Sequence, residues 1–255
     1  MTIASENALA FHALHQPGDP LVLFNVWDAG SAAAAARAGA AAIATGSASV
    51  GGALGFGDEQ CVPLELVLEN AARIVSAVPL PVSIDFEGGY AVAPGELADN
   101  FIRLLATGVV GCNFEDQVIG QTGLHSVAVQ VARIRALRDA ATACGVNAFI
   151  NARTDVFLKA PLDTHDATMV DEAIERGRAY ADAGASGLFL PGLANEALIA
   201  RACEGSRLPV NIMVQPEVPA KARLAELGVA RISHGAGPWR LAMRAFTDAA
   251  RAALQ

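Results

Sequence analysis

The sequence predicts a single-domain (β/α)8 TIM barrel spanning residues 1–255, and three observations carry that reading. An apolar, β-branched run that stops at a polar residue, followed by a longer helical pattern, recurs eight times from end to end. The runs are nearly continuous rather than alternating, as expected of strands buried on both faces. The 255-residue length suits one barrel, and no linker, low-complexity tail or charge block divides it. Eight parallel strands joined by right-handed crossovers then close on themselves; an open doubly wound sheet is the alternative.

Taken in order, residues 1–20 read as a short N-terminal helix capping the bottom of the barrel. The expected strands are 21–27, 42–47, 82–87, 111–116, 149–154, 187–191, 210–214 and 230–234. The expected helices are 31–38, 63–78, 95–106, 127–143, 170–183, 196–202, 220–227 and 239–254. Gly39, Gly108, Gly145, Gly184 and Gly228 fall where a helix ends in a left-handed residue. Pro63 and Pro219 fall near helix starts, where a missing N–H does no harm.

Composition narrows the function. Apolar residues make up 53% of the chain, charged residues 17%, and the net charge is −8. That is a large core and no basic footprint for nucleic acid. The four cysteines, Cys61, Cys112, Cys144 and Cys203, show neither zinc-site nor disulfide-framework spacing, so reduced thiols are expected. The start lacks a basic leader and the Ala-rich stretch 29–42 is too short to span a bilayer, which points to a cytoplasmic protein with no membrane partner.

Barrel enzymes place their chemistry at the C-terminal ends of the strands. Those ends here are Trp27-Asp28, Thr45-Gly46-Ser47, Asp85-Phe86-Glu87, Asn113-Phe114-Glu115-Asp116-Gln117, Asn151-Ala152-Arg153-Thr154-Asp155, the run holding Asn211, Met213 and Gln215, and Ser233-His234-Gly235. Asp85, Glu87 and Glu115 would converge at the mouth, where three carboxylates in a partly dry site need a cation or protons. An all-oxygen set suits Mg²⁺, with Mn²⁺ as its substitute, better than zinc. Arg153 offers a planar fork to a substrate carboxylate, or pairs structurally with Asp155 or Glu115. Gly46 and Ser47 can present N–H and hydroxyl groups to an anion, or form an ordinary tight turn. Asp58 sits in a glycine-flanked loop that bends over a site, or caps a helix. His125 is the nearest acid–base candidate on the loop after the fourth strand, and His234 reads as a polar wall residue.

These strand ends together resemble the isocitrate lyase/phosphoenolpyruvate mutase family over most of the chain. Asp28-Ala29-Gly30-Ser31-Ala32 is similar to the family's Asp-Ala-x-Ser-Ala, and Thr45-Gly46-Ser47 to its Ser-Gly-Ser. Leu54-Gly55-Phe56-Gly57-Asp58 is similar to its Leu-Gly-x-x-Asp, and Asp85-Phe86-Glu87-Gly88-Gly89-Tyr90 to its Asp-x-Asp-x-Gly-Tyr. Asn113–Gln117 and Ala152–Asp155 match its Asn-x-Glu-Asp-Gln and Ala-Arg-Thr-Asp. The resemblance implies that Asp85 binds Mg²⁺ directly, while Glu87, Glu115 and Asp58 act through metal-bound waters. It implies that Arg153, Ser47 and the Gly46 backbone hold the substrate carboxylate, that Trp27 forms a pocket wall and that Asn211 lies nearby. Thr45 and Asp28 join this substrate-facing set. It also implies chemistry through a metal-stabilised enolate of a 2-oxo acid.

The departures are informative. The family's isocitrate and methylisocitrate lyases carry Lys-Lys/Arg-Cys-Gly-His on the loop after the fourth strand, with the Cys as acid–base. Residues 118–126 here read Val-Ile-Gly-Gln-Thr-Gly-Leu-His-Ser, without Cys or Lys. The phosphonate-processing members need a Lys on that loop; Thr122 stands here without one before it. Glu87 replaces an Asp. The expected activity is therefore Mg²⁺-dependent C–C or P–C bond chemistry on a small 2-oxo or dicarboxylic acid, oxaloacetate decarboxylase-like or phosphoenolpyruvate mutase-like. A non-catalytic 2-oxo acid binding protein is the rival. The family commonly forms tetramers, often exchanging a C-terminal helix, so a homodimer or homotetramer is expected, although the chain ends soon after the helix near Trp239 and an exchange is not favoured.

Overall fold

The computed structural model describes residues 3–255; residues 1–2 of the expected N-terminal cap lie outside them. Eight parallel strands form one sheet: β1 (Leu21–Leu23), β2 (Ile43–Ala44), β3 (Val82–Asp85), β4 (Gly111–Glu115), β5 (Phe149–Arg153), β6 (Gly187–Leu190), β7 (Val210–Met213) and β8 (Arg231–Ser233). The order is β1-β8-β7-β6-β5-β4-β3-β2, with every pair parallel. A single parallel bridge, Val26 to Thr45, closes the ring between β1 and β2, with Val26 N–H donating to the Ala44 carbonyl at 2.9 Å. The expected (β/α)8 barrel is the fold.

The helices are α1 (Ile3–Ala13), α2 (Ala29–Arg37), α3 (Ser47–Leu54), α4 (Leu64–Ala77), α5 (Pro94–Ala106), α6 (Val127–Ala143), α7 (Ala167–Asp182), α8 (Glu196–Gly205), α9 (Lys221–Glu226) and α10 (Gly237–Ala253). Their amphipathic faces seal the outer wall: Leu97, Phe101 and Leu104 of α5 and Ile134 and Leu137 of α6 are fully buried against β3–β5. Helix α1 closes the floor. Phe11 is 0% exposed and meets Phe149, at the start of β5, edge-on at 5.5 Å; His15 stacks on the same ring at 3.8 Å. Burial pushes the His15 imidazole down to about 3, so it is neutral in this apolar seat.

Helix α3 is a departure from the sequence reading, which ended the second strand at Ser47 and expected no helix before residue 63. The segment Ser-Ala-Ser-Val-Gly-Gly-Ala-Leu is poor in strong helix formers. Its two glycines are there for packing. A Cβ at Gly51 would lie 2.7 Å from the Gly57 carbonyl oxygen, and one at Gly52 would lie 2.7 Å from the Trp239 ring.

Helix α10 stands apart. Met243 and Phe246 on its apolar stripe are exposed, Phe246 by 71%, as is Leu241 on another face. Outside β1, between α2 and α9, runs a groove of about 510 Å³ lined by Val22, Phe24, Ala35, Ala38 and Lys221. That is where the helix after β8 would complete the outer ring. Among the described residues no helix is long and apolar enough to cross a membrane.

The floor gives a direct test. Phe11→Ala should cost about 3–5 kcal/mol of unfolding free energy, read from urea midpoints at constant m-value. A loss below about 1 kcal/mol would mean that α1 only lies against the barrel and does not close it.

Candidate active site

The site is built on the ends of β2 to β5. The Asp85 N–H donates to Thr45 Oγ1 at 2.9 Å, which fixes the end of β3 against β2. Its carboxylate Oδ2 accepts from the Ser47 N–H at 3.0 Å, at the start of α3, where unpaired N–H groups favour an anion. Asp85 Oδ1 is buried and has no protein partner.

Glu87 lies two residues on, with φ 51°, and is 5% exposed. Its carboxylate accepts from the Gln60 N–H at 2.7 Å, while Gln60 Oε1 accepts from the Tyr90 N–H at 2.7 Å. The non-glycine residues with left-handed backbone among those described are Glu59, Gln60, Glu87 and Tyr90. All four sit at this reciprocal latch, so backbone strain is concentrated beside the acids. Burial, with Asp85 and Asp58 adding, pushes the Glu87 carboxyl up to about 7 against the pull of the Gln60 N–H.

Glu115 ends β4, in register with Arg153 at the end of β5, and their side chains meet at 2.9 Å. The rest of the Arg153 guanidinium grips Asp155 through two bonds of 2.6 and 2.9 Å. Burial pushes Glu115 up while Arg153 pulls it down; burial alone would lower Arg153, but Glu115 and Asp155 hold it protonated. Behind Glu115, Arg133 of α6 is 2% exposed and donates to the Gly88 carbonyl at 2.6 Å and to those of Ala91 and Glu115 at 3.4 and 3.5 Å. It ties the loop after β3 to the end of β4.

Two adjoining cavities open at this mouth. One of about 260 Å³ is lined by Asp58, Glu59, Glu87, Glu115, Gln117 and Lys159; one of about 440 Å³ by Asp85, Met213, Gln215, His234 and Arg240, among others. Ser47, Asp58, Arg153 and Leu158 line both. Among the described residues no three His, Cys, Asp or Glu side chains stand close enough to cage a metal directly. The donor set still fits Mg²⁺, which takes one or two direct carboxylates and keeps its waters; the unpartnered, buried Asp85 Oδ1 is the oxygen that would serve as such a ligand.

The sequence candidates therefore divide. Gly46, Ser47, Asp58, Asp85, Glu87, Glu115, Arg153 and His234 line these cavities, and Thr45 braces Asp85. Burial lowers the His234 pKa and leaves a neutral ring near Phe24. Four candidates lie elsewhere. Asp28 caps α2 by accepting from the Ser31 N–H at 2.7 Å. Trp27 lines neither cavity; its carbonyl accepts from Asn70. Asn211 is 1% exposed within the barrel and accepts from Ser233. His125 is held by its backbone, N–H to the Asp116 carbonyl and carbonyl to Arg176, and contributes to neither cavity. Sequence reading missed Gln60, Arg133, Lys159 and Arg240. Lys159 alone carried a signal, as one of two lysines and close behind a strand end.

Residues 11–254 match the family described as phosphoenolpyruvate phosphomutase. The chain belongs to that family. An uncharacterised Mycobacterium tuberculosis protein is 35% identical over 248 residues, 96% of this chain and 88% of its own length. An oxaloacetate decarboxylase of Ectopseudomonas mendocina is 30% identical over 207 residues, 78% of this chain and 67% of its own. A crystal structure of a Burkholderia cenocepacia protein, provisionally named a phosphonomutase, superposes with a TM-score of 0.95 at 48% identity, covering 98% of this chain and 99% of that one. The family's members include lyases and mutases, and this protein is an enzyme of that superfamily.

Glu87 sets a pH dependence for the metal-free enzyme. The folded protein keeps this proton up to about pH 7, whereas the unfolded chain releases it near 4.5. Between those values the folded state binds more protons, so stability falls as pH rises through the window, by up to about 3 kcal/mol. Glu87→Gln should flatten that fall in melting temperature. An unchanged slope would remove Glu87 as its source.

Proposed function

We propose that this enzyme is an Mg²⁺-dependent lyase acting on a small 2-oxo dicarboxylic acid through an enolate, with decarboxylation of an oxaloacetate-like acid as the reaction that fits best. The observation that carries it is the composition of the mouth: a cluster of acids faces Arg153, and residues 118–126 place no side chain in either cavity. That segment folds back on itself, Val118 N–H to the Gly123 carbonyl at 3.0 Å. Cleavage that needs an acid on this loop is disfavoured. Decarboxylation breaks the C–C bond with loss of CO2; it needs electron withdrawal at the keto group and stabilisation of the enolate left behind, which then takes its proton from water instead of from an acid on this loop.

Asp85 would hold the ion directly, with Glu87, Glu115 and Asp58 receiving its water ligands. Bound there, Mg²⁺ supplies Lewis-acid polarisation of the keto group. Arg153, kept protonated and immobile by Asp155, presents its charge to the substrate carboxylate and to the enolate as it forms. Ser47 and the Gly46 backbone border the same space at the head of α3. Oxaloacetate decarboxylases are among the relatives, beside methylisocitrate lyases and a structure named for phosphonomutase activity, so the choice among these reactions rests on the loop and not on the similarity.

Turnover of oxaloacetate, phosphonopyruvate and 2-methylisocitrate, each with Mg²⁺ and with excess chelator and corrected for the spontaneous reaction, tests it. Oxaloacetate should be converted to pyruvate only with the metal, and Asp85→Ala should lower kcat/KM by at least about 10³-fold. Chelator-insensitive turnover, or none above background, would overturn the proposal. Arg153→Lys should keep the charge but lose the fork held by Asp155, raising KM about tenfold or more; an unaltered KM would assign Arg153 to structure alone.

We also infer, against the expectation from the sequence that the C-terminal helix is not exchanged, a homo-oligomer in which α10 of one copy fills the groove between α2 and α9 of another. What supports it is an exposed apolar helix and a matching vacant place on the same chain. Phe246→Asp, harmless to an isolated chain, should convert the oligomer to monomer by light scattering. A monomeric wild type, or an unaffected variant, would overturn this arrangement.

A further inference from the structure

The apolar run of β8 is broken by a charge, and the structure places that charge on the barrel axis. Arg231 is 1% exposed and forms no ion pair among the described residues. Its Nη2 donates to Asn113 Oδ1 on β4 at 3.0 Å and its Nε to Ser233 Oγ at 3.4 Å. In a ring of eight, β8 and β4 stand opposite each other, so the side chain spans the lumen. Asn151 on β5 donates to the same Asn113 Oδ1 at 2.9 Å.

This layer sits directly under the mouth. Asn113 is the register partner of Asp85 and lies two residues before Glu115; Asn151 lies two before Arg153. Two residues of strand rise correspond to about 6–7 Å. Below this layer, towards the floor, Leu21 and Phe149 are apolar and buried. Burial pushes the guanidinium down to about 9, and Asp85 is the acid that acts most strongly to hold it charged. It is a cation at neutral pH, solvated only by neutral side chains. Desolvating a charge without a partner is costly, and an apolar side chain could fill the same lumen.

We propose that Arg231 is a positioning residue whose fixed charge, in the layer of Asn113 under Glu115 and Arg153, loosens the acid cluster's hold on a divalent cation and strengthens its hold on an anionic 2-oxo acid. In a low-dielectric interior one charge one layer away acts on both ligands, with opposite sign. The proposal rests on the reading of Asp85 as the ion's ligand. It differs from a structural role in one respect: lost packing weakens both ligands together, whereas a lost charge moves them apart.

Calorimetric titration of the full-length protein separates the two. Mg²⁺ alone reports the first affinity, and oxalate at saturating Mg²⁺ the second. Arg231→Met should bind Mg²⁺ about tenfold more tightly and oxalate about tenfold more weakly, the order expected for one charge over ~8–10 Å at an effective dielectric of ~20–40. Arg231→Lys, which keeps the charge, should stay within about threefold of wild type for both. If the Met variant does not fold, Arg231→Gln, which retains a donor for Asn113, carries the same test. Both affinities falling together, or neither moving, would overturn the role of Arg231 alone. A wild type that takes up no Mg²⁺ would overturn the metal reading and this one with it.

Discussion

Glu115 and Arg153 leave neighbouring strands at paired positions and meet 2.9 Å apart, and the mouth of the barrel is organised around that contact. Breaking such a buried pair by removing one partner typically costs about 3–5 kcal/mol, because the other charge is left in a poor solvent. Here the pair is the centre of a chain. Arg153 grips Asp155, the Asp155 N–H donates to Asp116 at 3.0 Å, and Tyr180 of α7 donates to Asp116 at 2.8 Å. The acids at the mouth are thus fixed to the outer helices through charge-assisted bonds. A guanidinium held this firmly has lost its conformational freedom before any ligand arrives, which lowers the entropic cost of binding.

A second set of constraints acts from the opposite side. The latch of Gln60 on Glu87 and Tyr90 holds four residues in left-handed backbone, and Arg133 gathers three carbonyls behind it. Strain of that kind persists only where the surroundings over-determine it. The carboxylates are then held in place by backbone and by buried cations, with Asp85 Oδ1 the oxygen left buried and without a protein partner.

Much of the fold was legible because it depends on periodicity. Eight apolar runs, each with a helix behind it, are a pattern repeated often enough to survive local noise, and glycines such as Gly39 and Gly228 marked helix ends. Helix α3 was not legible. Its Gly51 and Gly52 answer to a carbonyl and to the Trp239 ring, which are remote in sequence. In the site, acids at strand ends could be read because a barrel's topology fixes which end faces the mouth. Asp28 and His125 could not be placed, since a side chain beyond a strand end turns with its loop: Asp28 turned to cap a helix, and His125, ten residues past β4, has its backbone tied to Asp116 and Arg176. Gln60 and Arg133 act through backbone partners, which leave no mark in residue type.

The ring's seam bears on how the site behaves over time. Between β1 and β2 the sheet is joined by the Val26–Thr45 bridge, while the longest ladder, β4 to β5, pairs five residues. Thr45 belongs to that seam and also anchors the backbone of Asp85. Local fluctuations begin where a barrel has the fewest bonds to break. In this molecule that place adjoins the carboxylate best suited to a metal, so amide protons around Val26 and Thr45 form a natural gauge of whether the ion's seat is assembled.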